Sequence, residues 1–325
     1  MKIESAYEKG NNSVKHSIVI FASHLFSTKT YHFIRPNIQN NMMTKIIGMV
    51  FAVVMLSCLK SFSQDKKFYI FLCFGQSNME GNAKIQPQDT VGVDPRFQVL
   101  QAVDCPDLRR TKGNWYTAVP PLSRCKTGLT PADYFGRTLV ENLPEDVRVG
   151  IINVSVGGCK IELFDKDNYQ SYVAKAPQWM IGMINQYDGN PYARLVELAK
   201  IAQKDGVIKG ILLHQGESNP NDSLWTKKVK GVYDNLLKDL HLKAKKVPLL
   251  AGETVNADQG GICAGMNKII ATLPQMVKNS YVISSAGCQD AADNLHFTAE
   301  GYRMLGKRYA EQMLTLLGVD MKTGK

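Results

Sequence analysis

The chain has 325 residues, of which 44% are hydrophobic and 21% are charged, so it is long enough to bury a large core in one or two domains. Its formal net charge of +10 is uneven, because residues 1–63 carry seven Lys or Arg against two acidic residues and so supply half of the excess. From Gln64 onwards there is no basic stripe with interleaved aromatic residues, so we expect no nucleic-acid partner.

The N-terminal region reads as two segments that precede the folded part. Residues 1–41 show no helical or strand period and are predicted to be a non-structural extension, with the natural start at Met42 or Met43. Residues 42–63 have the features of a secretory signal peptide: a lysine, an apolar segment of about a dozen residues, and small residues before the end. The apolar segment is short for a membrane span. A buried N-terminal helix is the alternative.

We therefore predict export to the periplasm or the cell exterior, without stable membrane insertion after cleavage of the signal peptide. A lipoprotein anchored through Cys58 is less favoured, because Met55-Leu56-Ser57 is a poor lipidation context. The remaining residues, 64–325, are predicted to form a single domain.

Six cysteines remain beyond the leader, and an even number in an exported chain permits disulfides. Cys105 and Cys125 flank one loop and are the best candidate pair, whereas Cys73 is expected to be a small buried hydrophobe in a strand. No C-x-x-C spacing occurs, so we expect no zinc site and no other metal.

The first regular element is the apolar run in Phe68–Gly81, FYIFLCFGQSNMEG. A run without polar alternation is typical of a strand that is buried on both faces of a parallel sheet. It ends at Gly75-Gln76-Ser77-Asn78, which is either an ordinary turn or a ligand-binding strand end. The long irregular stretch 82–130 follows, and it is either a solvated insertion or a sugar-binding rim with Trp115, Tyr116 and Arg124.

Strands and helices alternate from Pro131 to the C-terminus, which indicates a parallel sheet covered by helices on both faces. The fold class is therefore α/β, a three-layer α/β/α sandwich with a central sheet of about five parallel strands. Besides the first strand, the predicted strands are 147–154, 207–213, 247–252 and 281–285. The predicted helices are 131–142, 191–204, 224–242, 263–277 and a last one that Thr298 caps. There is no GxGxxG motif and no P-loop, so no nucleotide cofactor is expected.

Polar segments follow four of these strands. They are Gly75-Gln76-Ser77-Asn78, Ser155-Val156-Gly157-Gly158, His214-Gln215-Gly216-Glu217-Ser218-Asn219 and Asp293-Asn294-Leu295-His296. Because the carboxyl ends of parallel strands share one edge of the sheet, all four can converge. Together they contain a nucleophile, a base, an orienting acid and oxyanion donors, as a serine hydrolase needs.

Only three histidines remain after Ser63. His241 lies among lysines on an amphipathic helix, and His214 directly follows a strand and fits a core or supporting position. His296 stands three residues after Asp293, so one short loop can present both an acid and a base. Two serines compete for the role of nucleophile. Ser218 lies in a sequence that begins like a Gly-x-Ser-x-Gly elbow but lacks the last glycine, whereas Ser77 follows the central strand. In an α/β-hydrolase with such an elbow the acid and the histidine lie in separate later loops, but here they stand together near the C-terminus, which favours Ser77.

These four segments, in this order, resemble the SGNH-hydrolase superfamily, in particular its carbohydrate esterases that include sialate O-acetylesterases and acetylxylan esterases. The resemblance implies a flavodoxin-like SGNH hydrolase fold and a catalytic triad of Ser77, Asp293 and His296, without a cofactor. It also implies oxyanion donors from the Ser77 backbone, from Gly157 or Gly158, and from Gln215 in place of the more common asparagine. The residues expected to support the site from behind are Gln76, Asn78, Gly158, His214 and Glu217.

The activity implied by the resemblance is removal of O-acetyl groups from a carbohydrate through an acetyl-enzyme. Two alternatives stay open. One is a carbohydrate-binding protein that has kept the fold without activity, and the other is a lipase or thioesterase, which would need a long apolar acyl channel.

Overall fold

The computed structural model describes residues 64–321, so the predicted N-terminal extension and signal peptide lie outside the described residues. Seven strands form one sheet. They are β1 (Asp65–Gly75), β2 (Phe97–Leu100), β3 (Trp115–Thr117), β4 (Arg148–Ser155), β5 (Gly206–His214), β6 (Leu249–Gly252) and β7 (Ser280–Ile283).

The strand order is β3-β2-β4-β1-β5-β6-β7, and only β3, at one edge, is antiparallel to its neighbour. This confirms the predicted α/β class with a central parallel sheet. The five predicted strands are β1, β4, β5, β6 and β7. The strands β2 and β3 come from the stretch predicted to be irregular, in which Pro, Asp, Arg and Gly interrupt the apolar residues so that no strand period is visible.

The helices cover both faces of the sheet. They are α1 (Ser77–Glu80), α2 (Pro87–Thr90), α3 (Pro131–Asn142), α4 (Tyr169–Val173), α5 (Gln178–Asn185), α6 (Pro191–Ala202), α7 (Trp225–Asp239), α8 (Met266–Ile270), α9 (Leu273–Met276) and α10 (Ala299–Leu317). Short 3₁₀ turns lie at Pro106–Leu108, Ile161–Phe164, Ala244–Lys246 and Ala257–Gln259. No helix between residues 64 and 321 is long and apolar enough to cross a bilayer.

Local signals account for where the longest helices begin. Thr130 caps α3 with its side chain, Pro131 occupies the first turn, and Thr298 accepts a hydrogen bond from the Gly301 N–H at the start of α10. Such caps satisfy backbone donors that the helix itself leaves unpaired. The helix predicted over residues 263–277 is instead the two short helices α8 and α9.

The two faces of β1 supply two separate hydrophobic cores. Ile70, Leu72 and Phe74 pack on the side of α5, α6 and α7, whereas Phe71 and Cys73 pack on the side of α3 and α10. This alternation follows from the period of two in a strand. Because both faces are covered, the polar ends of the strands are the part of the sheet left to form a site.

Candidate active site

The carboxyl end of β1 turns directly into α1, whose first residue is Ser77. Gly75 has a φ of 150°, and a Cβ at this position would lie 2.0 Å from the carbonyl oxygen of His214. Glycine therefore lets the ends of β1 and β5 approach closely, and the Gln76 N–H donates to the same oxygen over 3.0 Å. The result is a serine at the centre of the ligand-binding edge of the sheet.

Ser77, His296 and Asp293 form a continuous hydrogen-bonded chain. His296 Nε2 lies 2.8 Å from Ser77 Oγ, and His296 Nδ1 lies 2.6 Å from Asp293 Oδ2. Because an ionised carboxylate only accepts, Nδ1 carries the ring proton and Nε2 is free to accept from the serine hydroxyl. The structure thus brings together the three residues predicted to be nucleophile, base and acid.

The Asp293 carboxylate is held in its charged form. Burial opposes ionisation, but hydrogen bonds from the His296 ring and from the backbone N–H groups of His296 and Leu295 outweigh it and lower the pKa of Asp293. Both backbone bonds go to Oδ1 and measure 3.0 Å. The Asp-x-x-His spacing is therefore explained by one carboxylate that shapes the loop with one oxygen and holds the imidazole with the other.

The chain of three residues opens onto a cavity of about 340 Å³. The cavity lining has eleven residues, of which seven have polar side chains. It consists of Gln76, Ser77, Glu80, Asn82, Gly157, Gly158, Met183, Glu217, Ser218, Leu295 and His296. All four segments that follow the predicted strands contribute to it, as their position at one edge of the sheet requires.

Residues 67–315 match the family model described as "Carbohydrate esterase, sialic acid-specific acetylesterase". The chain belongs to this family. A probable carbohydrate esterase of Arabidopsis thaliana is 24% identical over 269 residues, which is 76% of this chain and 90% of that protein.

Solved structures show the same fold. The Arabidopsis thaliana protein AT4G34215 superposes with a TM-score of 0.58 at 22% identity, over 76% of this chain and 98% of that one. NanS gives 0.56 at 15% identity, over 79% and 99%. XAC1771, a carbohydrate acetylesterase from Xanthomonas citri, gives 0.54 at 18% identity, over 75% of this chain and 55% of that one.

In this member of the carbohydrate esterase family, the structure does not place Gln215 at the nucleophile, contrary to the prediction for an oxyanion donor. Its side chain is almost fully buried, and its Nε2 donates to Asn219 Oδ1 (2.8 Å), Gln76 Oε1 (3.1 Å) and the Cys159 carbonyl (3.3 Å). Its Oε1 accepts from Trp225 Nε1. The Gln215 amide therefore makes all of its hydrogen bonds with partners inside the protein.

Gln76, which precedes Ser77, has a different set of hydrogen bonds. Its Oε1 accepts from Gln215 Nε2 and from the Ser218 N–H, each over 3.1 Å, which fixes the orientation of the amide. Its Nε2 has no acceptor among residues 64–321, and the residue lines the cavity. The side-chain donor beside Ser77 is thus the glutamine of the first segment, not that of the third.

The two glycines after β4 also differ. The Gly157 N–H donates to Glu80 Oε1 over 3.1 Å, so the predicted oxyanion donor is already engaged. The N–H groups of Gly158 and Ser77 have no acceptor within the described part of the chain. Gly158 has a φ of +69°, which favours glycine and turns the chain sharply beside the cavity.

Ser218, the competing candidate, makes no hydrogen bond to a histidine among residues 64–321. Its Oγ donates to the Gly158 carbonyl over 2.9 Å, and its N–H donates to Gln76. It therefore connects the third segment to the second and to Gln76 of the first.

Asn78, fully buried, ties four parts of the site together. Its Nδ2 donates to the carbonyl of Leu295, next to His296 (3.1 Å), and to Glu217 Oε1 (2.5 Å). Its Oδ1 accepts from the hydroxyl of Tyr302 on α10 (2.7 Å). The residue after Ser77 thus links the start of α1 directly to the loop that contains His296.

His214 and Glu217 lie beneath the cavity as a buried pair. His214 is completely buried, and its Nε2 lies 3.6 Å from Glu217 Oε1. Burial alone would raise the pKa of Glu217, but the nearby His214 ring and the hydrogen bond from Asn78 lower it. Glu217 is one of the lining residues of the cavity, but its Oε2 is buried and has no hydrogen-bond partner among the described residues.

Glu80 was not singled out from the sequence. It is almost buried, lines the cavity, and pairs with Arg124 from the loop that the Cys105–Cys125 disulfide closes. A glutamate three residues after Ser77, in an otherwise uncharged segment, is the signal that would have found it.

Of the predicted sugar-binding rim only Arg124 is near the site. Trp115 packs on Phe68 near the start of β1, and Tyr116 is the neighbour of Trp115 on β3.

Proposed function

We propose that this protein is a serine esterase that removes O-acetyl groups from carbohydrates through an acetyl-enzyme intermediate. The observation that carries the proposal is the Ser77–His296–Asp293 chain at the mouth of a polar cavity. Membership of a carbohydrate esterase family supports it. A pure carbohydrate-binding protein has no need to keep a serine, a histidine and an aspartate in hydrogen-bonded series.

Acylation begins when His296 Nε2 takes the Ser77 hydroxyl proton as Oγ attacks the acetyl carbonyl carbon. Asp293, already ionised, stabilises the imidazolium that forms. The imidazolium then donates its proton to the sugar oxygen as the carbon–oxygen bond breaks, and the sugar alcohol leaves. Water, deprotonated by the same histidine, hydrolyses the acetyl-enzyme and restores Ser77.

The oxyanion of each tetrahedral intermediate needs donors beside Ser77. We assign this role to the backbone N–H groups of Ser77 and Gly158 and to Gln76 Nε2, because these three donors have no acceptor within the described residues. Removal of one such donor typically lowers kcat by ~100- to 1,000-fold. Glu80 holds the Gly157 N–H and so keeps the neighbouring glycine turn in place.

The lining of the cavity favours a short acyl group. Met183 and Leu295 are the aliphatic side chains among its lining residues, and the others are polar or glycine. A lipase or thioesterase needs a long apolar channel for its acyl chain, and this cavity of about 340 Å³ offers none next to Ser77. Acetyl fits, and the polar lining suits the hydroxyl groups of a sugar.

The proposal is tested by hydrolysis of p-nitrophenyl acetate and p-nitrophenyl octanoate, followed by O-acetylated sialic acid and O-acetylated xylose. We expect p-nitrophenyl acetate to be strongly preferred over the octanoate. We also expect acetate to be released from at least one of the two acetylated sugars. Preference for octanoate would support the lipase alternative. Sugar binding without any ester hydrolysis would support the carbohydrate-binding alternative.

We also propose that the protein is exported to the periplasm or the cell exterior. The signal-peptide pattern in residues 42–63 supports this, as does the disulfide between Cys105 and Cys125, which was the predicted pair. N-terminal sequencing of the protein from the exported fraction should find a mature chain that begins near Gln64. Recovery of the protein only from the cytoplasm, with free thiols at both positions, would contradict the proposal.

A further inference from the structure

A groove of about 570 Å³ adjoins the catalytic cavity, and Gly158 lines both. The groove lies between the segment that follows β4 and the helices α4 and α5. Gly158 is therefore the boundary between the reacting centre and a second space of sufficient size for a small ligand.

Trp179, at the start of α5, is the dominant side chain of this groove. It is 60% exposed, which is unusual for the largest aromatic residue. Its ring lies against Gly158, since a Cβ on that glycine would be 2.7 Å from Trp179 Cη2. The glycine thus allows the indole to lie directly beside the catalytic cavity.

Helix α5 connects the two spaces. Trp179 and Met183 are four residues apart, so they lie on the same face of the helix. Met183 lines the catalytic cavity and Trp179 lines the groove. A ligand that extends away from Ser77 over Gly158 would therefore pass from Met183 to Trp179.

Polar groups surround the indole. Lys160 and Lys175 line the groove, and neither ammonium group has a carboxylate partner among residues 64–321. Ser171 and Asn168 add a hydroxyl and an amide. The Tyr172 hydroxyl is fixed, because it accepts from the Lys160 N–H over 3.0 Å and donates to Met180 Sδ.

We infer that this groove binds the sugar residue that adjoins the acetylated one, with the apolar face of its ring on Trp179 and its hydroxyl groups on the surrounding polar side chains. A flat aromatic face with a few polar groups around it is complementary to a pyranose ring. The inference rests on the proposed function and deepens it. The substrate is an O-acetylated oligosaccharide or polysaccharide rather than a free monosaccharide.

The test compares substrate pairs that differ in whether further sugars are attached to the acetylated residue. One pair is O-acetylated xylotetraose and O-acetylated methyl xyloside, and the other is O-acetylated sialyllactose and O-acetylated sialic acid. For the pair that the wild-type enzyme hydrolyses, kcat/KM should be higher for the longer member. In Trp179→Ala, the ratio of kcat/KM for the longer substrate to kcat/KM for the shorter one should fall by about 10-fold, as loss of one aromatic contact predicts.

Three comparisons make the result specific. Trp179→Phe keeps an aromatic face and should retain most of the ratio, and Val91→Ala, at an exposed apolar residue of another loop, should leave it unchanged. The Ser77→Ala variant is titrated with unacetylated xylotetraose and, separately, with unacetylated sialyllactose. Its tryptophan fluorescence should change with the sugar that belongs to the pair hydrolysed by the wild-type enzyme. The same titration of Ser77→Ala/Trp179→Phe should leave the fluorescence unchanged.

The outcomes separate the two proposals. Equal kcat/KM values for the long and short substrates, or a ratio that Trp179→Ala does not change, would remove the subsite and leave the esterase proposal intact. A wild-type enzyme that hydrolyses p-nitrophenyl acetate but neither acetylated sugar pair would remove both the carbohydrate substrate and the subsite.

Discussion

Ser77 Oγ and His296 Nε2 lie 2.8 Å apart although 219 positions separate the two residues in the chain. The contact joins the end of the central strand β1 to the loop before the last helix. It exists because β1 lies in the middle of the sheet and because Asn78 bonds the carbonyl next to His296. The predictions below test what this contact does and what maintains it.

Ser77→Ala should reduce the kcat for p-nitrophenyl acetate by ~10,000-fold or more, since the acetyl-enzyme cannot form. The melting temperature should change little, because the His296 ring is the only hydrogen-bond partner of Ser77 Oγ among residues 64–321. Activity assays and thermal unfolding of the same preparation measure both. Ser218→Ala is the matched control and should keep most of the activity. The reverse result, an inactive Ser218 variant and an active Ser77 variant, would overturn the choice of nucleophile.

Asp293→Asn should lower kcat by ~1,000- to 10,000-fold, because an amide cannot stabilise the imidazolium and favours the wrong histidine tautomer. Because the pKa of Asp293 is lowered, its carboxylate is charged near neutral pH, and kcat of wild type and variant at pH 8 measures the loss. Asp290→Asn, in the same loop, is the control and should resemble wild type. Full activity in Asp293→Asn would reduce the triad to a serine–histidine pair.

Gln76→Ala and Gln215→Ala should differ in what they damage. Gln76→Ala should lower kcat by ~100-fold with a smaller change in KM, because an oxyanion donor acts mainly in the transition state. Gln215→Ala should cost about 2 kcal/mol or more of stability, since it leaves buried partners such as Trp225 Nε1 unpaired. Steady-state kinetics and urea unfolding separate the two effects. A stable Gln215→Ala with a large loss in kcat alone would restore Gln215 as the donor.

Asn78→Ala should lower kcat by about 100-fold by loosening the histidine loop, since small misplacements of reacting groups are costly. Tyr302→Phe is the matched control. It removes the hydroxyl that bonds Asn78 Oδ1 but leaves both contacts of Asn78 Nδ2, so it should lower stability more than activity. Equal losses of kcat in the two variants would mean that the bond to Leu295 is not what matters.

Asp133 should make the stability of the fold depend on pH. Burial raises the pKa of Asp133 to about 8, and its Oδ1 has no hydrogen-bond partner in the described structure. The unfolded chain releases this proton near the usual value of about 3.9, so between pH of about 4 and 8 the folded state binds more protons and stability falls as pH rises.

Asp133→Asn should remove this contribution, because the amide has the shape of the neutral acid and its oxygen can still accept from the Thr130 N–H. Urea midpoints at pH 5 and pH 8 should therefore differ less in Asp133→Asn than in wild type. Glu141→Gln, an exposed change on the same helix α3, should leave the difference as it is. An unchanged difference in Asp133→Asn would mean that Asp133 is ionised in the fold.

The sequence by itself determined the fold class, five of the seven strands, the starts of α3 and α10, and the order of the four polar segments. These depend on local features: apolar runs, capping residues and the rule that parallel strand ends share an edge. The same local features made Ser77, Asp293 and His296 the predicted triad. The Asp-x-x-His spacing already placed Asp293 and His296 in one short loop, where they can contact each other.

Only the tertiary structure decided which amide and which glycine have a free donor at the nucleophile. Gln76 and Gln215 both stand beside a strand end and have the same chemistry. What distinguishes them is the set of partners, Trp225 and Asn219 for Gln215, that folding brings around it. Likewise Glu80 takes the Gly157 N–H and leaves that of Gly158, and Trp179 lies beside the cavity through contact with Gly158. Such choices are made by packing between distant segments, so no local pattern in the sequence encodes them.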